Sequence, residues 1–225
     1  MSNIITTDNL SKSFFLKKNL KILKKINIKI EKGELVALLG PSGSGKSTFL
    51  HLIALLDQPS SGEIYFEGKK TSYMNHYEKD EIRGKKISII YQQNNLLSDF
   101  TSLENVAMAM ISSGKNKEYA HNEAKKILRN VGLSKRLDHF PSDLSVGEQQ
   151  RVAIARAAIN EPLLILADEP TGSLDQSTSE EIFNLFLKYK SQNRSIIYAT
   201  HNRELADRAD YKLTIIDGNI RRSNE

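Results

Sequence analysis

The sequence predicts an α/β protein: a parallel sheet under helices, short strands ahead of it and a helical insertion in its middle. Three observations carry this. A glycine-rich loop, residues 40–48, lies between an apolar run and a helical pattern. Two further unbroken apolar runs, Leu163-Leu164-Ile165-Leu166-Ala167 and Ser195-Ile196-Ile197-Tyr198-Ala199-Thr200, read as strands buried on both faces. From Asn94 to about Arg156 the pattern changes to helical spacing.

Residues 1–32 hold Ile4-Ile5, then Ile22, Ile26, Ile28 and Ile30, the last three alternating, which predicts short strands. Leu35-Val36-Ala37-Leu38-Leu39 predicts a buried strand leading into the loop, and a helix opens at Lys46. Gly62 to Gly68 reads as a strand closed by a glycine turn, and Ile87 to Tyr91 as another, ending at Gln92. Thr101 and Glu104 have the spacing of a capping box and start a helix. Ala120, Ala124, Ile127, Leu128 and Val131 keep helical spacing up to Gly132, which ends that helix. A further helix covers Gly147 to Ala158. Ile182, Phe183, Leu185 and Phe186 mark an amphipathic helix between the two buried strands. Leu213-Thr214-Ile215-Ile216 meets Asp217-Gly218, a hairpin signal. With no repeat, linker or low-complexity segment, residues 1–225 read as one domain, with about 94–156 inserted as a helical layer.

A chain of 225 residues has room for a substantial core. Its 39% hydrophobic and 26% charged content is ordinary for a soluble globular protein. The absence of cysteine excludes disulfides, thiolate catalysis and Cys-based zinc sites, and fits a reducing cytosol. The start, Met1-Ser2-Asn3-Ile4-Ile5-Thr6, lacks a secretion-signal pattern. No apolar stretch approaches the roughly 18 residues of a bilayer span, so any membrane role is expected through a partner. The net charge of +5 is concentrated early, where Lys12, Lys17, Lys18, Lys21, Lys24, Lys25, Lys29 and Lys32 face only Glu31. Without interleaved aromatics these lysines read as a solvated strand edge rather than a nucleic-acid or lipid patch. No nucleic-acid partner is expected.

Gly40-Pro41-Ser42-Gly43-Ser44-Gly45-Lys46-Ser47-Thr48 matches G-x-x-x-x-G-K-[ST] between strand and helix, the setting in which that pattern cradles phosphate. The glycines let several backbone N–H groups point at one phosphate chain. Lys46 offers a point charge to the β and γ phosphates, and the Ser47 hydroxyl offers a ligand to Mg²⁺. The helix that opens there adds the positive end of its dipole. Asp168-Glu169 follows the second apolar run. Beside such a loop, Asp168 suits a Mg²⁺-linked role and Glu169 the orientation or deprotonation of an attacking water. Elsewhere the pair would read as a solvated strand end. Parallel strands deliver their C-terminal ends to one edge, so His201 is expected beside Gly40 and Asp168, in reach of a γ-phosphate.

Leu144-Ser145-Val146-Gly147-Glu148-Gln149-Gln150-Arg151 completes a set that resembles the ATP-binding cassette (ABC) ATPases over essentially the whole chain. Leu144, Ser145, Gly147 and Glu148 stand in the LSGG[QE] signature, Gln92 in the Q-loop and Ser173-Leu174-Asp175 in the D-loop. Asp168-Glu169-Pro170-Thr171 extends the Walker B motif, and His201 is the switch histidine. The resemblance implies a P-loop NTPase (RecA-like) core with an N-terminal antiparallel β subdomain and an inserted α-helical subdomain. It implies ATP and Mg²⁺ as ligands: ATP at Phe14, residues 40–48, Gln92, Ser145, Gly147 and Glu148, and Mg²⁺ at Ser47, Gln92 and Asp168. Glu169 would be the general base and His201 the holder of the γ-phosphate. Two positions depart from the pattern. Val146 replaces the first signature glycine and is expected to narrow the allowed backbone angles. Phe14 or Phe15 stands for the usual adenine-stacking tyrosine; Phe14 fits the spacing better, and a phenyl face still stacks.

In this family two cassettes close head to tail on two ATP molecules, so the resemblance implies a second copy of the chain as partner. Residues 91–108 are similar to those of the ATPases of lipoprotein-releasing systems, chiefly at Asp99-Phe100 and Ala107-Met108. That similarity implies transmembrane permease subunits (LolC/LolE-like) and membrane contact through them alone. It also implies a peripheral place on the cytoplasmic face of the inner membrane and release of lipoproteins toward the outer membrane. Cassettes of MacB-like exporters and FtsEX-like division complexes are close alternatives. ABC ATPases acting on ribosomes or DNA are a distant one, since those carry two cassettes or long coiled coils.

Overall fold

Two sheets and a layer of helices make up the computed structural model, which describes residues 2–15 and 19–223. The chain begins with two long antiparallel strands, β1 (Asn3–Phe15) and β2 (Asn19–Glu31). It crosses into β3 (Leu35–Leu39) and α1 (Lys46–Ile53), then returns to the first sheet with β4 (Ser61–Phe66) and β5 (Lys69–Lys70). That sheet has the order β2-β1-β4-β5. Next come α2 (His76–Lys85), β6 (Ile87–Ile90) and three consecutive helices, α3 (Ser102–Ser112), α4 (Lys117–Asn130) and α5 (Val146–Ala158). The chain closes with β7 (Leu164–Asp168), α6 (Gln176–Leu187), β8 (Ser195–Ala199), α7 (Arg203–Ala206), β9 (Tyr211–Ile216) and β10 (Asn219–Ser223). The second sheet runs β10-β9-β3-β8-β7-β6 and is parallel except at β10.

The unbroken apolar runs have a direct cause. In β3, Leu35 and Ala37 join the cluster under the helical layer, while Val36 and Leu38 join the cluster against α1 and the first sheet. The same alternation holds in β8, where Ile196 and Tyr198 face one side and Ile197 and Ala199 the other. A strand buried on both faces reads as a near-continuous apolar run. Val106, Leu128, Val152 and Ile154 carry α3, α4 and α5 onto one face; Phe49, Leu50, Leu52 and Ile53 carry α1 onto the other.

Local chemistry places the helix ends. Thr101 and Glu104 form a reciprocal capping box at α3, and Gly132, with φ of 83°, follows the end of α4. α5 starts at Val146, one residue before the expected Gly147, because Ser145 is its cap. Asp217 and Gly218 both have positive φ, 49° and 77°, as a two-residue hairpin turn requires. Three elements lie outside the sequence expectation: β5, α7 and α2. Helix α2 has a capping box from Asn75 and Glu78 but buries no residue, so it carries no apolar stripe. The expected short N-terminal strands are instead two strands of 13 residues each. Their register slips repeatedly, and Asn9 and Lys25 adopt φ of 47° and 48°, so period-two alternation is broken.

Asn105 in α3 is fully buried and ties down the segment before that helix. Its Nδ2 donates to Phe100 O at 2.8 Å, Leu97 O at 3.0 Å and Thr101 O at 3.1 Å, while its Oδ1 accepts from Leu97 N at 2.8 Å. Asn105→Leu is expected to cost about 3 kcal/mol, because it leaves buried backbone groups unpaired. Thermal unfolding should report this as a fall in Tm of roughly 6–12 °C.

Candidate active site

The C-terminal ends of β3, β7 and β8 meet at one edge, as parallel pairing dictates. β3 delivers the loop 40–45, whose backbone is held open by glycine. A Cβ on Gly40 would lie 2.5 Å from Ile215 O, and one on Gly45 (φ 105°) 2.8 Å from Ile22 Cγ2. Gly45 is also the N-cap of α1, and with no side-chain cap there the first N–H groups of the helix stay open to an anion. The buried Ser44 Oγ has no hydrogen-bond partner among the described residues. Lys46 is 6% exposed; its Nζ donates to Gly40 O at 2.9 Å and Pro41 O at 3.3 Å, and lies 3.9 Å from Glu169 Oε1. A buried ammonium, an orphan hydroxyl and uncapped amides together fit a phosphate chain.

β7 ends at Asp168, and the next residue, Glu169, turns into the left-handed region with φ of 50°. Its N–H donates to Ala199 O at 3.1 Å and its carbonyl accepts from Gly172 N at 3.0 Å, so the turn is held on both sides. The Glu169 carboxylate points to His201, with Oε1 2.5 Å from Nε2. The carboxylate is half-buried and the imidazole exposed. A cleft of about 370 Å³ is lined by Ser42, Gly43, Gly45, Lys46, Ser47 and Thr48 from the loop and helix. Its other walls are Gln92, Asp168, Glu169, His201, Phe14 and Ile22. Gly40, Pro41 and Ser44 shape the loop without lining the cleft. Phe15, 88% exposed, does not line it either. Ser47, Gln92 and Asp168, the residues expected to meet Mg²⁺, all line this cleft with a side-chain oxygen. Among the described residues no group of three or more His, Asp or Glu side chains is arranged to hold a metal ion by itself.

Ser145, Gly147 and Glu148 are not brought to that cleft. They lie at the start of α5, where Ser145 Oγ accepts from Glu148 N at 3.3 Å and Glu148 Oε2 from Ser145 N at 2.9 Å. Glu148 Oε1 accepts from Arg136 Nε at 2.8 Å, so both carboxylate oxygens are engaged within the chain. The Arg136 hydrogen bond, with the Ser145 N–H, holds the Glu148 carboxyl down at about 2. A carboxyl depressed in this way stabilises the fold fully above its ordinary value of 4.5, and that stabilisation is lost as pH falls toward about 2. The fall in Tm between about pH 5 and pH 2.5 is accordingly expected to be smaller in Glu148→Gln than in the parent chain.

Val146 is the first residue of α5 and keeps a helical backbone open to any L-residue, so its side chain narrows nothing there. Gly147 is constrained instead by packing: a Cβ would lie 3.0 Å from Thr178 Cγ2, and Thr178 is fixed by the Asp175 cap of α6. A second cleft, about 610 Å³, opens between Val146, Gln149 and Ser173 on one side and residues 92–96 on the other. Gln92 borders both clefts. Arg156 in α5 donates to Asn94 O and Asn95 O, each at 2.8 Å, and so anchors the segment that follows Gln92. Ile22 and Arg136 were not identifiable as site neighbours from sequence, since each acts through a contact distant in the chain.

A phosphate-cradling loop, strand-end carboxylates and a histidine on one edge of a parallel sheet define a P-loop nucleotide hydrolase, here with a helical layer inserted between β6 and β7. Residues 23–172 match the family model for ABC transporters, and this chain belongs to that family as an ATP-binding, ATP-hydrolysing cassette. It is 49% identical over 219 residues to the lipoprotein-releasing system ATP-binding protein LolD of Rickettsia bellii, covering 95% of this chain and 96% of the relative. The LolD of Aquifex aeolicus is 41% identical, covering 98% and 97%. Among solved structures, the ATP-binding cassette MJ0796, in a dimeric post-hydrolysis state bound to ADP and Pi, superposes with a TM-score of 0.90. It shares 36% identity, with 98% of each chain covered.

Proposed function

We propose that this chain is the ATPase subunit of a transporter complex that releases lipoproteins from the inner membrane toward the outer membrane. The observation that carries this reading is the near full-length identity of 49% to a lipoprotein-releasing ATPase. In this reading Lys46, the 40–48 loop and the α1 N-terminus hold the phosphates, while Phe14 stacks on the adenine. Ser47, Gln92 and Asp168 hold Mg²⁺, whose bound charge would neutralise the phosphate oxygens. Glu169 takes a proton from the attacking water, and His201 donates to the γ-phosphate.

Ser145 and Gly147 lie outside the cleft that contains Lys46, so they reach a nucleotide only from a second copy of the chain. The MJ0796 cassette is dimeric with ADP and Pi, which supports a head-to-tail pair closed by ATP and opened by hydrolysis. No helix among the described residues is long and apolar enough to cross a membrane. Membrane contact is therefore assigned to two LolC/LolE-like permease subunits, with the ATPase at the cytoplasmic face of the inner membrane. The energy step and the choice of cargo then reside in different chains.

The test is to tag the chain, purify it from gently solubilised membranes and identify what accompanies it. Two related membrane subunits with bound lipoprotein are the expected companions. A single fused exporter-like partner, or a division protein, would assign the ATPase to another transport system. Ribosomal proteins or nucleic acid without a membrane subunit would overturn the transport reading.

A further inference from the structure

We infer that Lys12 is a positioning residue for the nucleotide base: its ammonium fixes and polarises the Phe14 ring. This rests on the proposal that Phe14 stacks on the base. Lys12 lies in β1 and is only 9% exposed, unlike an ordinary strand-edge lysine. Its Nζ donates to Asp57 Oδ1 at 2.7 Å and to Gln58 O at 2.8 Å, both in the segment that follows α1. Asp57 is itself steadied by the Gln58 N–H at 2.7 Å. Held there, the ammonium stands over the Phe14 ring, 5.0 Å from its centroid.

The phenyl ring is 41% exposed and lines the same cleft as Lys46 and Ser47. One face is thus occupied by a fixed cation, and the ring borders the nucleotide site. Two physical effects follow. The ring is ordered before the base arrives, so less side-chain entropy is lost on binding. The cation also draws on the negative π-face, which lessens the repulsion between that ring and a purine stacked parallel to it. Phenylalanine lacks the hydroxyl that could anchor a tyrosine at this position, so the anchoring falls to the lysine.

Two probes separate a role at the base from a role at the phosphates: ATP, and inorganic tripolyphosphate, which has no base. Binding is measured by calorimetry on the full chain. Lys12→Met is expected to weaken ATP binding about fivefold and to leave tripolyphosphate binding within about twofold. Lys12→Arg, which restores a cation, should recover ATP affinity. In a Phe14→Ala background, Lys12→Met should cause no further loss, because the ring through which it acts is gone.

Equal weakening of ATP and tripolyphosphate in Lys12→Met would make the residue a general structural tether and overturn the inference. So would loss of ATP affinity in Phe14→Ala with none in Lys12→Met, an outcome that keeps the stacking role of Phe14. Unchanged ATP affinity in Phe14→Ala would overturn the stacking reading itself. If Lys12→Met leaves Asp57 too destabilising to fold, the pair Lys12→Met with Asp57→Asn removes both charges and reports the same ratio.

Discussion

Glu169→Gln is expected to slow ATP hydrolysis by about 10²-fold to 10³-fold while nucleotide affinity stays within about twofold. Glutamine matches the shape of glutamate, and its carbonyl can still accept from His201 Nε2, which lies 2.5 Å from Glu169 Oε1. The 3.9 Å approach to Lys46 Nζ also survives with a neutral oxygen. What is lost is the basicity needed to take a proton from water. Steady-state phosphate release and equilibrium binding of ATP, measured on the same preparation, separate the two effects. Near-normal turnover would remove Glu169 from the role of base. A matching loss of binding would make it a structural support for the loop.

Lys46→Ala should act on the other half of the cycle, weakening ATP binding by about 100-fold. The Lys46 ammonium is buried, and in this structure it donates to the loop's own carbonyls, Gly40 O and Pro41 O. Those carbonyls hold the charge at the mouth of the loop, so an incoming phosphate meets a cation already desolvated and in place. Alanine removes the charge and leaves two carbonyls without their donor. Titration with ATP under conditions that prevent hydrolysis gives the affinity directly, and Lys46→Arg is expected to recover little of it. A guanidinium does not fit a space shaped for a single nitrogen. Unchanged affinity in Lys46→Ala would place phosphate binding elsewhere.

The elements that could be read from sequence are those whose residues are decided locally or by full burial. The runs through β3, β7 and β8 announce strands because their apolar residues point in turn into one of two cores. Thr101 and Glu104 announce a helix start because capping is an interaction across three residues. Helix α2 escaped notice because nothing on it is buried. The length of β1 and β2 escaped because Asn9 and Lys25 break the alternation. At the site, Ser42, Gly43 and the residues from Gly45 to Thr48, together with Gln92, Asp168, Glu169 and His201, do converge on one cleft. Spacing favoured Phe14 over Phe15, and of the two rings Phe14 is the one that lines the cleft. The engagement of Glu148 by Arg136 and of Lys12 by Asp57 depends on chain segments that meet only in three dimensions.

Glu169 occupies a backbone conformation in which glycine would rest more comfortably, at a cost of about 1 kcal/mol. The carboxylate is aimed by that bend: it emerges from a turn pinned to Ala199 and Gly172 instead of continuing along β7. With Glu169 as the proposed base, durability and turnover pull in opposite directions at this one residue. A screen that rewarded heat resistance alone would tend to relax the bend, and the survivors would be sturdier cassettes with idle chemistry.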